Sequence, residues 1–178
     1  MKIMEVTERT QLLIQKLVEI WKTSVKSTHL FLSDSEIESI RKYVPQALQE
    51  IPHLIVLETK SPVAFMGVDG QKLEMLFVSG AERGKGLGKK LIQYGMETYS
   101  IHELAVNEQN PLARGFYERM GFQVYRRTDH DEQGNPYPLL YMKRPTTGQP
   151  AEKDQPGGSN GTAGRNGIPA QICREMAE

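Results

Sequence analysis

The stretch Leu73-Glu74-Met75-Leu76-Phe77-Val78 runs into Ser79-Gly80-Ala81-Glu82-Arg83-Gly84-Lys85-Gly86-Leu87-Gly88-Lys89-Lys90. It reads as an apolar strand, a short turn, and a glycine-spaced loop that opens a helix. Glycines at 84, 86 and 88 let a ligand approach the backbone, because no Cβ stands in the way. The first amides of the helix have no acceptor one turn back, and its dipole favours negative charge there. The combination predicts an anion site, suited to the phosphates of a cofactor.

Spacing separates the kinds of glycine loop this could be. A phosphate-cradling NTPase loop needs Gly-Lys followed by Ser or Thr, and neither follows Lys85, Lys89 or Lys90. A dinucleotide loop starting at Gly84-x-Gly86 needs a small residue where Lys89 stands, although Glu103 lies about where a ribose carboxylate would. What remains is Arg83-x-x-Gly86-x-Gly88, or a plain strand-to-helix turn. This Arg-x-x-Gly-x-Gly spacing resembles the acetyl-CoA pyrophosphate loop of the GNAT superfamily of N-acetyltransferases. A second motif points the same way: Asn107-Glu108-Gln109-Asn110-Pro111-Leu112-Ala113-Arg114-Gly115-Phe116-Tyr117-Glu118-Arg119-Met120-Gly121-Phe122 is similar to the N-x-x-A-x-x-F-Y-x-x-x-G-F signature of that superfamily. It follows the glycine loop by a helix and a strand, the order that such a fold requires. The link Thr28-His29-x-Phe31-Leu32 and the ending Gly134-Asn135-Pro136-Tyr137-Pro138-Leu139-Leu140 resemble a bacterial subgroup, and the likeness runs from about Ile3 to Lys143.

The bounds agree. A chain of 178 residues suits one domain with a sizeable core. Its 22 basic and 22 acidic residues cancel, so no long-range field favours nucleic acid or an anionic membrane. The single cysteine, Cys173, excludes an internal disulfide and a cysteine-rich metal site, and no metal is expected. No apolar run nears the roughly 20 residues that span a bilayer. The start at Met1 lacks a signal-peptide profile, so a cytoplasmic protein is the expectation.

Along the chain, Lys2–Val6 reads as a strand. Leu13, Leu17, Ile20, Trp21, Ser24 and Thr28 fall at helical spacing. Ser33-Asp34-Ser35-Glu36 is a capping box for a second helix, which Pro45 bends or restarts. Strands are predicted at His53–Glu58, Val63–Val68 and Lys72–Val78, then a helix ending near Tyr99 and a strand at Glu103–Val106. Asn110 caps a helix with Pro111 at its first position and Gly121 past its end, before strands at Phe122–Arg126 and Leu139–Met142. The fold class is therefore α/β, a mixed sheet covered by helices in the order β-α-α-β-β-β-α-β-α-β-β. Residues 1–144 form the domain; the Gly/Pro-rich remainder, 145–178, reads as a disordered tail with a weak helical turn near Ala170–Met176.

The resemblance implies a three-layer fold in which the strands at 72–78 and 103–106 splay and hold acetyl-CoA between them. It implies pantetheine on the backbone of Leu76, Phe77 and Val78. The amides of Gly84, Gly86, Leu87, Gly88 and Lys89 would take the pyrophosphate, with Arg83, Lys85 and Lys89 adding charge. Asn107 and Asn110 are candidates for polar cofactor contacts. Tyr117 matches the family tyrosine that donates a proton to the departing thiolate; a phenol, with pKa about 10, is still protonated at neutral pH. Glu74 is the candidate base, because a carboxylate inside an apolar strand is costly unless it meets water or a partner. A cross-strand salt bridge, a structural carboxylate, a relay of waters, or His29 are the alternatives. His29, Phe31 and Tyr137 border the expected acceptor cleft, while His130, Asp129 and Asp131 lie in the last loop, where a solvated turn is the plainer reading. The function implied is direct acetyl transfer from acetyl-CoA to a primary amine, of a protein or a small molecule, by a monomer or homodimer. The rivals are an acyl-CoA sensor without turnover and a protein that binds only a stray anion.

Overall fold

The computed structural model describes residues 1–145, so the expected tail, with Cys173, lies outside the described residues apart from Pro145. Thr10 accepts a hydrogen bond from the Leu13 N–H and opens α1 (Gln11–Thr28), whose inner side buries Leu17, Trp21, Ser24 and Val25. The Ser33/Glu36 capping box forms as expected and opens α2 (Asp34–Arg41). Pro45 lacks an N–H and cannot continue that helix, so the chain restarts as α3 (Val44–Glu50), with the proline in its first turn. The two helices expected before the second strand are therefore three.

Seven strands form one sheet in the order β1-β2-β3-β4-β5-β7-β6. They are β1 (Lys2–Glu5), β2 (His53–Glu58), β3 (Pro62–Asp69), β4 (Lys72–Val78), β5 (Glu103–Asn107), β6 (Gln123–Thr128) and β7 (Leu139–Lys143). A short 3₁₀ turn (Gly80–Glu82) and α4 (Leu87–Thr98) connect β4 to β5, and α5 (Pro111–Arg119) leads from β5 towards β6. Among the described residues only β4 and β5 are parallel neighbours; every other pair is antiparallel.

The interior of β3 is buried without alternation, because helices cover both faces of the sheet there. On one face a Cβ at Gly67 would stand 2.5 Å from Met75 Cγ and 3.0 Å from Ile51 Cγ1, at the end of α3. On the other, Gly95 brings α4 so close that a Cβ would stand 2.9 Å from Met66 Cε. Gly67→Ala should therefore destabilise the protein by about 1–3 kcal/mol, since the buried Met75 stem cannot swing away without disturbing its neighbours. Thermal denaturation checks this: the midpoint should fall by roughly 2–4 °C per kcal/mol lost.

The feature that positions the site is a split. β4 pairs with β5 only at Lys72↔Glu103 and Leu73↔Leu104. At the same level the pairing with β3 shifts: Gly67 faces Met75, Val68 faces Leu73, and Glu74 is the extra residue of a β-bulge. A bulge adds local twist and bends its strand. Beyond it β4 stays with β3 and β5 stays with β7, and the two strands part.

Candidate active site

Past Glu74 no strand pairing joins β4 to β5. Backbone polar groups along a buried gap must find partners, and an amide-bearing chain laid between the strands supplies them. Directly after β4 comes the glycine loop. Gly84 and Gly86 both have φ near +73°, the left-handed region that side chains avoid, and an added Cβ at either would meet nothing within 4 Å. Gly86 caps α4, and the first intrahelical bond to reach it runs from Lys90 N–H to its carbonyl at 3.1 Å. Helix geometry turns the amides of that first turn outward along the axis, where the dipole adds positive potential. Open space, a bare backbone and outward amides fit a diphosphate joined to an extended amide chain, which is the shape of coenzyme A.

The expected cations are placed differently from one another. Arg83 Nη1 donates to Ser27 Oγ at 2.8 Å and so ties the end of α1 to the loop. Lys85 pairs with Glu82 at 2.9 Å, and Lys89 lies exposed in the first turn of α4. Asn107 and Asn110 hold the turn between β5 and α5: the first accepts from Gln109 N–H at 2.8 Å, the second from Ala113 N–H at 3.1 Å as a helix cap. Their carbonyl oxygens are thus committed to local backbone, a role the sequence already signalled for Asn110.

Tyr117 is 2% exposed on α5, packed edge-on against Phe116 and Phe122, and α5 lies against β5. Glu74 forms an ion pair with Lys72 at 2.7 Å on its own strand, not the cross-strand pair expected as an alternative. It is nonetheless the bulged residue at the head of the split, half-buried rather than enclosed.

The three expected acceptor-site residues come together. The rings of His29 and Phe31 stand 5.4 Å apart, and those of Phe31 and Tyr137 stand 6.0 Å apart. The buried His29 shares a hydrogen bond with Thr28 Oγ1 at 2.8 Å. One end of this row is anchored by Ser27 to the loop that follows β4. The other is anchored beside Pro138, whose carbonyl accepts from Glu108 N–H at 2.9 Å just past β5. The segments that carry the row are therefore tied to the loop after β4 at one end and to the end of β5 at the other. Sequence reading missed Glu36 here. Its carboxylate accepts from Tyr137 Oη at 2.6 Å, and from the Ser33 hydroxyl and N–H at 2.6 and 2.8 Å. These donors hold it at about 2, well below the usual carboxylate range, the Ser33 hydroxyl contributing most; bonding to that carboxylate in turn pushes the Tyr137 phenol up to about 12. Asp129 and Asp131 shape the last loop instead: the first pairs with Arg127, and the second accepts from Gln133 and Asn135.

Comparison with known proteins fits this geometry. The profile of the family described as "Acetyltransferase (GNAT) domain" matches residues 22–142. The chain is 39% identical over 132 residues to the peptidyl-lysine N-acetyltransferase YjaB of Salmonella typhimurium strain LT2, covering 74% of this chain and 91% of that one. The solution structure of apo-form YjaB from Escherichia coli superposes with a TM-score of 0.71 at 36% identity, over 80% of this chain and 97% of that one. An aminoglycoside 6'-N-acetyltransferase complexed with coenzyme A shares the fold, with a TM-score of 0.57 at 15% identity over 85% of this chain and the whole of that one. The matched region begins inside α1 and ends in β7, so it contains the split, the loop and Tyr117; the chain belongs to the GNAT family of acetyltransferases and is an enzyme that moves acetyl groups from acetyl-CoA to amines.

Proposed function

We propose that this enzyme acetylates the side-chain amine of lysine in protein substrates, by direct transfer within a ternary complex. The observation that carries the reading is the 39% identity to a peptidyl-lysine N-acetyltransferase along 91% of that protein's length. The proposed setting is the cytoplasm; among the described residues no helix is long and apolar enough to cross a membrane.

In this reading acetyl-CoA supplies the activated acyl group, and the chain supplies position and proton traffic. The edge of β4 at Leu76, Phe77 and Val78 aligns pantetheine, and the amides of Gly84, Gly86, Leu87, Gly88 and Lys89 take the pyrophosphate. Asn107 and Asn110 act by shaping the turn into α5 rather than by gripping the cofactor with their carbonyl oxygens. A lysine ammonium has a pKa of about 10.4 and must lose a proton before it can attack. Glu74 accepts that proton at the head of the split and passes it to solvent. As the new C–N bond forms and the C–S bond breaks, the amine's second proton balances the one Tyr117 gives to the leaving sulfur. Held between Phe116 and Phe122, the Tyr117 ring has a fixed place from which to donate.

Thiol release from acetyl-CoA in the presence of a lysine-containing peptide, with the product's mass read in parallel, tests this. Acetylation should appear on the lysine and vanish when that lysine is replaced by arginine. Coenzyme A binding with no thiol release across peptides and small amines would overturn the reading in favour of a sensor. For Glu74→Gln, kcat/KM should fall at least about tenfold at neutral pH and recover as pH approaches 10, where the amine sheds its own proton. A uniform loss at every pH would assign Glu74 to structure through its Lys72 pair.

A further inference from the structure

We propose that the Glu36 carboxylate, at the end of the His29–Phe31–Tyr137 row, selects the acceptor: it draws the cationic lysine side chain along the ring faces towards the split between β4 and β5. This inference rests on the peptidyl-lysine reading above.

Three observations carry it. First, capping α2 needs only the contacts with Ser33, yet Glu36 also takes the Tyr137 hydroxyl from 101 residues away, which places a carboxylate beside the ring row. Second, its charge is not neutralised. Of the acidic residues in α2, Asp34 pairs with Lys26 at 3.1 Å and Glu38 with Lys22 at 2.6 Å, whereas among the described residues Glu36 forms no ion pair. Its hydrogen bonds come from hydroxyls and an amide, which stabilise a negative charge without cancelling it, so the charge persists through the pH range of any assay. Third, the half-buried rings of Phe31 and Tyr137 lie in a row linked to the ends of β4 and β5, and aromatic rings attract an ammonium. A fixed anion at one end and π-faces along the way make a track for an alkylammonium and offer nothing to an anionic or neutral acceptor.

Glu36→Gln in the full chain separates charge from structure. Glutamine also completes a capping box, with its amide oxygen accepting from Ser33, while its NH2 can donate to the Tyr137 hydroxyl oxygen, so a contact to each partner survives while the charge is lost. With a lysine peptide and acetyl-CoA, the peptide KM should rise about fivefold at low salt, and the difference from the wild type should fade towards 1 M salt. The kcat, the acetyl-CoA KM and the melting temperature should stay put. Phe31→Leu, which removes a ring but no charge, should also raise the peptide KM, by a salt-independent factor. An unchanged peptide KM in a folded Glu36→Gln protein overturns the inference, as does a lowered melting temperature with KM unchanged, which marks a purely structural cap. A wild type that binds acetyl-CoA but modifies no lysine peptide overturns the acceptor reading itself, a different pattern from either.

Discussion

Tyr117→Phe should lower kcat on the order of a hundredfold while leaving acetyl-CoA affinity within about twofold. The substitution keeps the ring, and with it the edge-on packing against Phe116 and Phe122. What goes, in the proposed mechanism, is the proton for the leaving sulfur, a transition-state service with little part in binding, so the loss belongs in kcat rather than KM. The hydroxyl belongs to a residue only 2% exposed, where removing a polar group acts on stability as well as on chemistry. Some stability, about 1–3 kcal/mol, should go with it, so the comparison belongs well below the melting transition. Wild-type turnover in this variant would remove Tyr117 from the chemistry and pass the donor's role to water.

The second large effect is on cofactor binding. Gly86→Val should weaken acetyl-CoA by roughly a hundredfold or more, read by calorimetry with coenzyme A. Nothing of the protein lies within 4 Å of the added Cβ, so the harm does not come from a clash within the fold. It arises in two other ways. A φ of +73° suits glycine and costs an L-residue roughly 1–2 kcal/mol, more for a branched one, so the cap of α4 shifts. The side chain also projects into the space proposed for the diphosphate. Each amide bond to a charged phosphate contributes about 1.5–3 kcal/mol, and losing two accounts for the expected factor. Binding at full strength would mean that the phosphates dock elsewhere.

Much of this was legible in the residues. Local signals carried through: Ser33 and Glu36 cap α2, Asn110 caps α5, Gly121 takes φ +90° just beyond it, and the glycines at 84 and 86 turn left-handed. In the link Thr28–Leu32 the structure leaves Leu30 exposed, but His29 and Phe31 do meet Tyr137. What stayed hidden depends on partners that are distant in sequence. The bulge at Glu74 exists only relative to β3, since Lys72–Val78 alone reads as an ordinary strand. Arg83 reads as a charge beside phosphates until Ser27, 56 residues earlier, claims one of its nitrogens. Glu36 looked like half of a capping box because nothing in Ser33–Glu36 reveals a hydroxyl from the β6–β7 loop.

The sequence contains one tryptophan, and α1 buries it to 1% exposure with no hydrogen-bond partner for its indole nitrogen. An indole in so dry a setting emits at short wavelength and shifts red once water reaches it, so the protein carries its own optical probe of unfolding. In the last turn of the same helix, Ser27 accepts from Arg83 in the loop expected to bind the diphosphate. Titrating coenzyme A while watching Trp21 fluorescence would thus show, without any label, whether cofactor docking is felt from Ser27 back to the middle of that helix.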